Sequence, residues 1–363
     1  MVSSLLLFGL PLVGVRLAGH SLALYLEFPP LTHYVVHAPF SWWMFTFFAL
    51  LIGAALVPFA RRVVRSRSPL VSTAPPCCFP WWGWGGLGVG AVAWLLAWTR
   101  FAWFAPCQTY TFTPLWLAYV VVVNALTTWR TGRCTLVDRP RHALLLFPVS
   151  ALFWWYCEYL NRFVQNWSYV GIESFGPWQY VWYATLPFST VLPAILGTYE
   201  LLLSFPRLSA GLDHYLPIRL RRPRWLGLVV LGIGSVGLVG MSVWPDYCYP
   251  VVWIAPFLIL TAWQNLLGMP TIFASVQHGD WRSIWLWALA ALVCGGFWEM
   301  WNAYSMAKWV YAIPFVNRFH LFEMPLLGYG GYLPFGLECA AVVALLSPTV
   351  SAAQEMCQQR PAD

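Results

Sequence analysis

Charge is scarce in this sequence. Of 363 residues only 9% are Asp, Glu, Lys or Arg, against 60% that are hydrophobic. Soluble globular chains carry roughly a quarter charged residues. So few charges cannot cover a water-facing surface, which excludes an ordinary cytosolic enzyme, a disordered chain and a soluble nucleic-acid binder. Lysine is nearly absent: Lys308 stands alone among 20 basic residues, the rest being Arg. The nine cysteines form no C-x-x-C pair and no Cys/His cluster, so no metal site and no cofactor are expected. His33 and His37 stand four apart, but Pro29, Pro30 and Pro39 argue against a helix that would bring them together. The P-loop, G-x-S-x-G and H-E-x-x-H signatures are missing. Met1-Val2-Ser3-Ser4 lacks a basic run and a cleavage site is not evident, so a removed signal peptide is not expected.

What the chain has is apolar length. A helix needs about 20 apolar residues to cross a bilayer, and ten runs qualify: 4–26, 42–60, 86–105, 113–129, 142–163, 180–204, 225–244, 249–268, 284–305 and 326–348. The fold class is therefore an all-α polytopic bundle. The net charge of +7 sits in the links. Arg61, Arg62, Arg65 and Arg67 follow the second run, and Arg130, Arg133, Arg139 and Arg141 the fourth. Arg207, Arg219, Arg221, Arg222 and Arg224 follow the sixth, Arg282 the eighth and Arg360 the tenth. With ten spans all of these fall on one side, which the positive-inside rule makes the cytoplasm. The expectation is a bacterial inner-membrane protein with both termini cytoplasmic. Its opposite links are aromatic and Pro-rich, and Cys107 and Cys248 in two of them are placed to pair if oxidised.

Two stretches of the chain match. Aligning FWWYCEYLNRFVQNWSY, 153–169, with FWEMWNAYSMAKWVY, 297–311, pairs Glu158 with Glu299 and Asn161 with Asn302. One residue of slippage then pairs Trp167-Ser168-Tyr169 with Trp309-Val310-Tyr311. Pro187 precedes Glu200 by thirteen residues, as Pro325 precedes Glu338. Spans three to six (80–207) and seven to ten (225–348) read as two parallel four-helix repeats, with 1–68 as an N-terminal two-span segment and 349–363 as a cytoplasmic tail.

Four of the 13 acids, Glu158, Glu200, Glu299 and Glu338, thus fall inside apolar helices in matching positions. A charge at that depth costs at least about 2.5–3.5 kcal/mol, so such residues face a bundle interior. A neutral buried carboxyl can donate a proton. Positions i and i+3 share a helix face, so Asn161 and Asn302 are expected to orient Glu158 and Glu299, with Arg162 placed to form an ion pair with Glu158. Glu200 and Glu338 form a second candidate pair. Trp155, Trp167, Tyr169, Trp298, Trp309, Tyr311 and Glu323 are the candidate substrate contacts. Aromatic faces of this kind stabilise a carbocation.

The stretch WNAYSMAKWVYAIPFVNRFHLFEMP, 301–325, resembles the repeated domain of the heterodimeric or fused membrane lycopene (carotenoid) cyclases, and the likeness extends over 150–204 and 292–348. Asn302 stands where that family usually has an acid, and Trp309 and Tyr311 match its aromatic pair. Glu323-Met324-Pro325 lies near its Pro-x-Glu-Glu, with the acid before the proline rather than after it. The resemblance implies a membrane enzyme acting on an isoprenoid-like lipid by acid/base chemistry, with a membrane lipid as partner and no nucleic acid. The residues alone also fit a proton-coupled transporter or a non-catalytic scaffold subunit.

Overall fold

The computed structural model describes residues 2–66, 78–219 and 223–346. Arg67, Arg221, Arg222, Arg360 and the tail 349–363 lie outside the described residues. Helices α1 (Val2–Leu17), α2 (Trp42–Arg65), α3 (Trp81–Trp98), α4 (Phe112–Thr131), the single turn α5 (Thr135–Asp138) and α6 (Pro140–Val164) lead into a short strand β1 (Trp167–Val170). Then come α7 (Pro177–Phe188), α8 (Val191–Leu203), α9 (Pro223–Val243), the turn α10 (Pro245–Cys248), α11 (Ala255–Leu266) and α12 (Arg282–Ala303). Strands β2 (Lys308–Tyr311), β3 (His320–Leu321) and β4 (Met324–Pro325) precede α13 (Tyr332–Leu346).

The fold is helical, as the composition demands. Among the described residues seven helical stretches are long and apolar enough to cross a membrane, and nine if two bent pairs each count as one. The bends fall at Trp81–Trp98 with Ala102–Tyr110 (107°) and at Pro245–Trp253 with Ala255–Leu266 (48°). The first expected span is shorter than its apolar run. Its helix stops at Leu17, and Gly19 turns the chain with φ +77° before a separate 3-10 turn at Leu22–Tyr25. Pro11 has no N–H for the Leu7 carbonyl. That carbonyl accepts from Tyr156 Oη at 3.4 Å instead, and Tyr159 Oη bonds the Phe8 carbonyl at 2.5 Å.

A second break lies between α7 and α8, inside the expected sixth span. The Ser150 hydroxyl from α6 repairs it, donating to the Phe188 carbonyl at 2.6 Å and accepting from Leu192 N at 3.0 Å. One buried side chain thus serves a main-chain carbonyl and a main-chain N–H at the break.

The Arg-rich links gather at one end. Arg62 donates to the Gly211 carbonyl at 2.9 Å, so the link after α2 meets the link after α8. Arg130, closing α4, bonds both the side chain and the carbonyl of Ser204 at 2.8 and 2.9 Å. Trp281 N, before α12, reaches the Leu212 carbonyl at 2.8 Å.

At the other end β1 and β2 pair antiparallel, Trp167 opposite Tyr311 and Tyr169 opposite Trp309. By composition both W-x-Y segments are aromatic links; in the fold they are strands, joined to each other although far apart in the chain. His37 ties the N-terminal link to this end, its ring bonding Asp246 at 2.6 Å and the Gln165 carbonyl at 3.1 Å. Cys107 and Cys248 are both free thiols.

Candidate functional site

Glu158 lies on α6 one turn after Trp154, and both the helix and the strand that follows serve it. Its Oε1 accepts from Trp154 Nε1 at 3.0 Å, Trp167 Nε1 at 3.0 Å and Tyr169 Oη at 2.6 Å. Glu299 on α12 is held similarly. Its Oε1 accepts from Tyr311 Oη at 2.7 Å and Tyr332 Oη at 2.8 Å, and Trp309 Nε1 donates to Tyr311 Oη at 2.8 Å. Both glutamates are 0% exposed, and in each the second carboxyl oxygen, Oε2, has no protein partner. All donors therefore converge on one oxygen, and Oε2 is the atom free to carry a proton. Burial, reinforced by the adjacent Glu158, pushes the Tyr169 hydroxyl well above its ordinary range, and Tyr311 beside Glu299 is shifted alike, so both remain protonated donors.

The two arrangements differ at one point. The residue one turn before Glu299 is Gly295, where Glu158 has Trp154. A Cβ built on Gly295 would overlap the ring of Tyr332. The glycine leaves the room through which Tyr332, at the start of α13, reaches the carboxyl.

The asparagines do not orient the carboxyls, as the i,i+3 spacing suggests they should. Asn161 Nδ2 donates to the Trp167 carbonyl at 2.8 Å and its Oδ1 accepts from Trp167 N at 3.4 Å. Asn302 makes the same two bonds to Trp309, at 2.8 and 2.9 Å. Each amide copies the hydrogen-bond face of a strand and clamps the chain so that the indole and phenol point at the acid. Nor does Arg162 pair with Glu158. Its guanidinium turns to the Leu24 carbonyl at 3.1 Å.

Glu200 and Glu338 do not form a second matched pair. Glu200 accepts from the Thr135 backbone N at 3.1 Å and from its hydroxyl, which caps α5 at the Arg-rich end. Glu338 is buried on α13 with Oε2 unpartnered. Glu200→Gln keeps an acceptor for Thr135, so it is expected to leave any turnover unchanged and to cost about 1 kcal/mol of stability, read from thermal unfolding in detergent.

One cavity of about 360 Å³ lies under the β1–β2 ribbon, within the roughly 300–1,000 Å³ range of small-molecule sites. Trp154, Trp167 and Tyr169 line it from the first half, and Trp298, Trp309, Tyr311 and Tyr332 from the second. Trp253 and Phe335 add further rings, and Phe48, Leu51 and Ile52 of α2 form one flank. The indoles and phenols that hold the two acids thus wall one hollow rather than two. Neither Glu158 nor Glu299 is among the lining residues; the phenols and indoles stand between carboxyl and cavity.

Of the expected contacts, Trp167, Tyr169, Trp298, Trp309 and Tyr311 line this space. Trp155 does not; its Nε1 bonds Thr185 Oγ1 at 2.9 Å and its ring packs behind Tyr180 and Phe188 of α7. Glu323 pairs with Lys308, whose side chain reaches the wall, but is not itself part of it. Sequence reasoning misses Trp154 and Tyr332. The first stands at i−4 from Glu158, a spacing that points to it; the second has no comparable signal. Comparison with protein-family models, curated proteins and solved structures finds no match for this chain.

Proposed function

We propose that the chain is an integral-membrane enzyme that acts on an isoprenoid-like lipid by proton transfer. The carrying observation is that two buried glutamates, in separate halves of the chain, are held by the indoles and phenols that wall a single aromatic cavity. In this reading spans three to six and seven to ten of a ten-span chain are two copies of one unit, related by an axis along the membrane normal. The matched Asn161 and Asn302 clamps, and the ribbon that sets the Trp of each half opposite the Tyr of the other, support the duplication. The Arg-rich end faces the cytoplasm, both termini lie there, and the membrane is the bacterial inner membrane. The ribbon closes the cavity toward the outer side.

The proton exchanged with a bound lipid is the one shared between Tyr169 Oη and Glu158 Oε1, and in the other half between Tyr311 or Tyr332 Oη and Glu299 Oε1; a proton carried on Oε2 joins either relay once the carboxyl turns over. A phenol can take one proton while handing on another. Two relays on one cavity suit an isomerisation: one carbon gains a proton, the double-bond electrons shift or close a ring, and another carbon loses a proton. Atoms balance without any co-reactant. Positive charge developing on the lipid would meet the faces of Trp154, Trp298 and Trp253. A carrier of polar solutes needs a hydrophilic path, and the rings and aliphatic groups of this wall favour the enzyme reading.

The test compares lipid extracts of cells with and without the protein. The expected result is a new isoprenoid of the same mass as its precursor, present only with the protein. Identical extracts would overturn the reading.

A further inference from the structure

Leu51 of α2 lines the cavity and is also 55% exposed. A side chain can be both only where a cavity reaches the surface. Ala55, one turn further along the same edge of α2, likewise lines the cavity and is exposed. Ile254, at the break before α11, is a third such residue, 39% exposed. The other lining residues are buried or half-buried. All three exposed wall residues are apolar. Lys308, the one charged residue on the wall, is engaged by Glu323.

Position along α2 sets the depth of this opening. Leu51 stands nine residues after Trp42 and ten before Arg61, which is about 14 and 15 Å along the helix axis. Trp favours the membrane interface and Arg the water beyond it, and the hydrocarbon between the interfaces is about 30 Å thick. Leu51 therefore lies near the bilayer midplane, where acyl chains and not water are outside. Phe47, Leu50 and Val57 continue an exposed apolar surface around it.

The packing of α2 explains why the wall is unsealed there. None of its 24 residues is buried, whereas the other unbroken spans bury about a third or more of their apolar length. It is fastened near its ends. Ser41 N donates to the Phe315 carbonyl at 2.9 Å, Arg62 Nε donates to the Gly211 carbonyl at 2.9 Å, and Phe59 stacks on Trp285 with ring centroids 5.8 Å apart. Between these ties Ile52 rests on Gly330, where an added Cβ would fall 2.4 Å from Ile52 Cδ1. The Ile52 edge is thus closed against the body of the protein, and the Leu51–Ala55 edge is the open one.

We infer that the edge of α2 at Leu51 and Ala55 is a lateral portal through which a lipid passes between the bilayer midplane and the cavity. The inference rests on the isoprenoid reading above and adds the source of the substrate, which is the membrane hydrocarbon rather than water. The probe is farnesol, a short isoprenoid, mixed rapidly with the full-length protein in detergent and followed by tryptophan emission. Ala55→Phe crowds the portal without adding an indole, and Leu51→Ala widens it at a position exposed enough to spare the fold. A portal is crossed in both directions, so its variants move association and dissociation together and leave Kd unchanged. Ala55→Phe is expected to slow both rates about tenfold, and Leu51→Ala to speed both about threefold. Rates equal to the parent's in both variants, or a changed Kd with association unaffected, overturn the portal and leave the isoprenoid cavity standing. If farnesol does not bind the unaltered protein, the isoprenoid reading falls and this inference with it.

Discussion

Glu158→Gln and Glu299→Gln are each expected to lower formation of the lipid product by about 100-fold, and the double variant to abolish it, when product is measured in membranes holding equal amounts of protein. General acid–base catalysis is worth typically about 10²–10⁴ in rate. Glutamine keeps an acceptor oxygen where Trp154, Trp167 and Tyr169 converge on Glu158, and where Tyr311 and Tyr332 converge on Glu299. The cage therefore survives while the exchangeable proton is lost. Equal thermal unfolding of variant and parent separates lost chemistry from lost fold. Unchanged product from the double variant would remove both glutamates from the reaction.

Gly295→Trp is expected to destabilise the protein by about 1–3 kcal/mol, the usual cost of overfilling a packed core, because the new side chain displaces the Tyr332 ring from Glu299. Combined with Tyr332→Ala it should recover most of that loss. The pair would then copy the first half, where Trp154 stands before Glu158 and Ala194 occupies the position that alignment on Glu200 and Glu338 matches to Tyr332. A double-mutant cycle on unfolding free energy should show a coupling of about 1 kcal/mol or more, within the range of touching residues. Strict additivity would mean that the two donors are unrelated and that the halves do not share one plan.

The acids announce themselves in the sequence because a carboxyl within an apolar helix has to be accommodated, and Glu158 and Glu299 do occupy comparable buried settings. The asparagines are equally visible, but their spacing misleads. The i,i+3 rule puts Asn161 on the face of Glu158, yet an amide matches peptide geometry better than it matches an acid, and the chain returns to it at Trp167. Trp155 is the wrong neighbour to take from the Trp154-Trp155 pair, since adjacent helix positions point about 100° apart; counting back one turn from Glu158 selects the right one. Tyr332 and the single shared cavity are beyond the reach of sequence, since both depend on how the halves meet. The shortened first span shows a different gap. Hydropathy runs on through Gly19, but the backbone turns there.

The ribbon between β1 and β2 is an antiparallel main-chain pairing, whose backbone bonds do not depend on side-chain identity. Ser168 faces Val310 and Val170 faces Lys308, unlike residues in like places. As long as the two asparagine clamps hold the register, the seam puts no demand on what either strand displays. Each half is then at liberty to specialise without loosening its grip on the other. Under the proposed duplication, symmetry of shape need not impose symmetry of role, and in the proposed reaction one carboxyl can serve as giver while the other serves as taker.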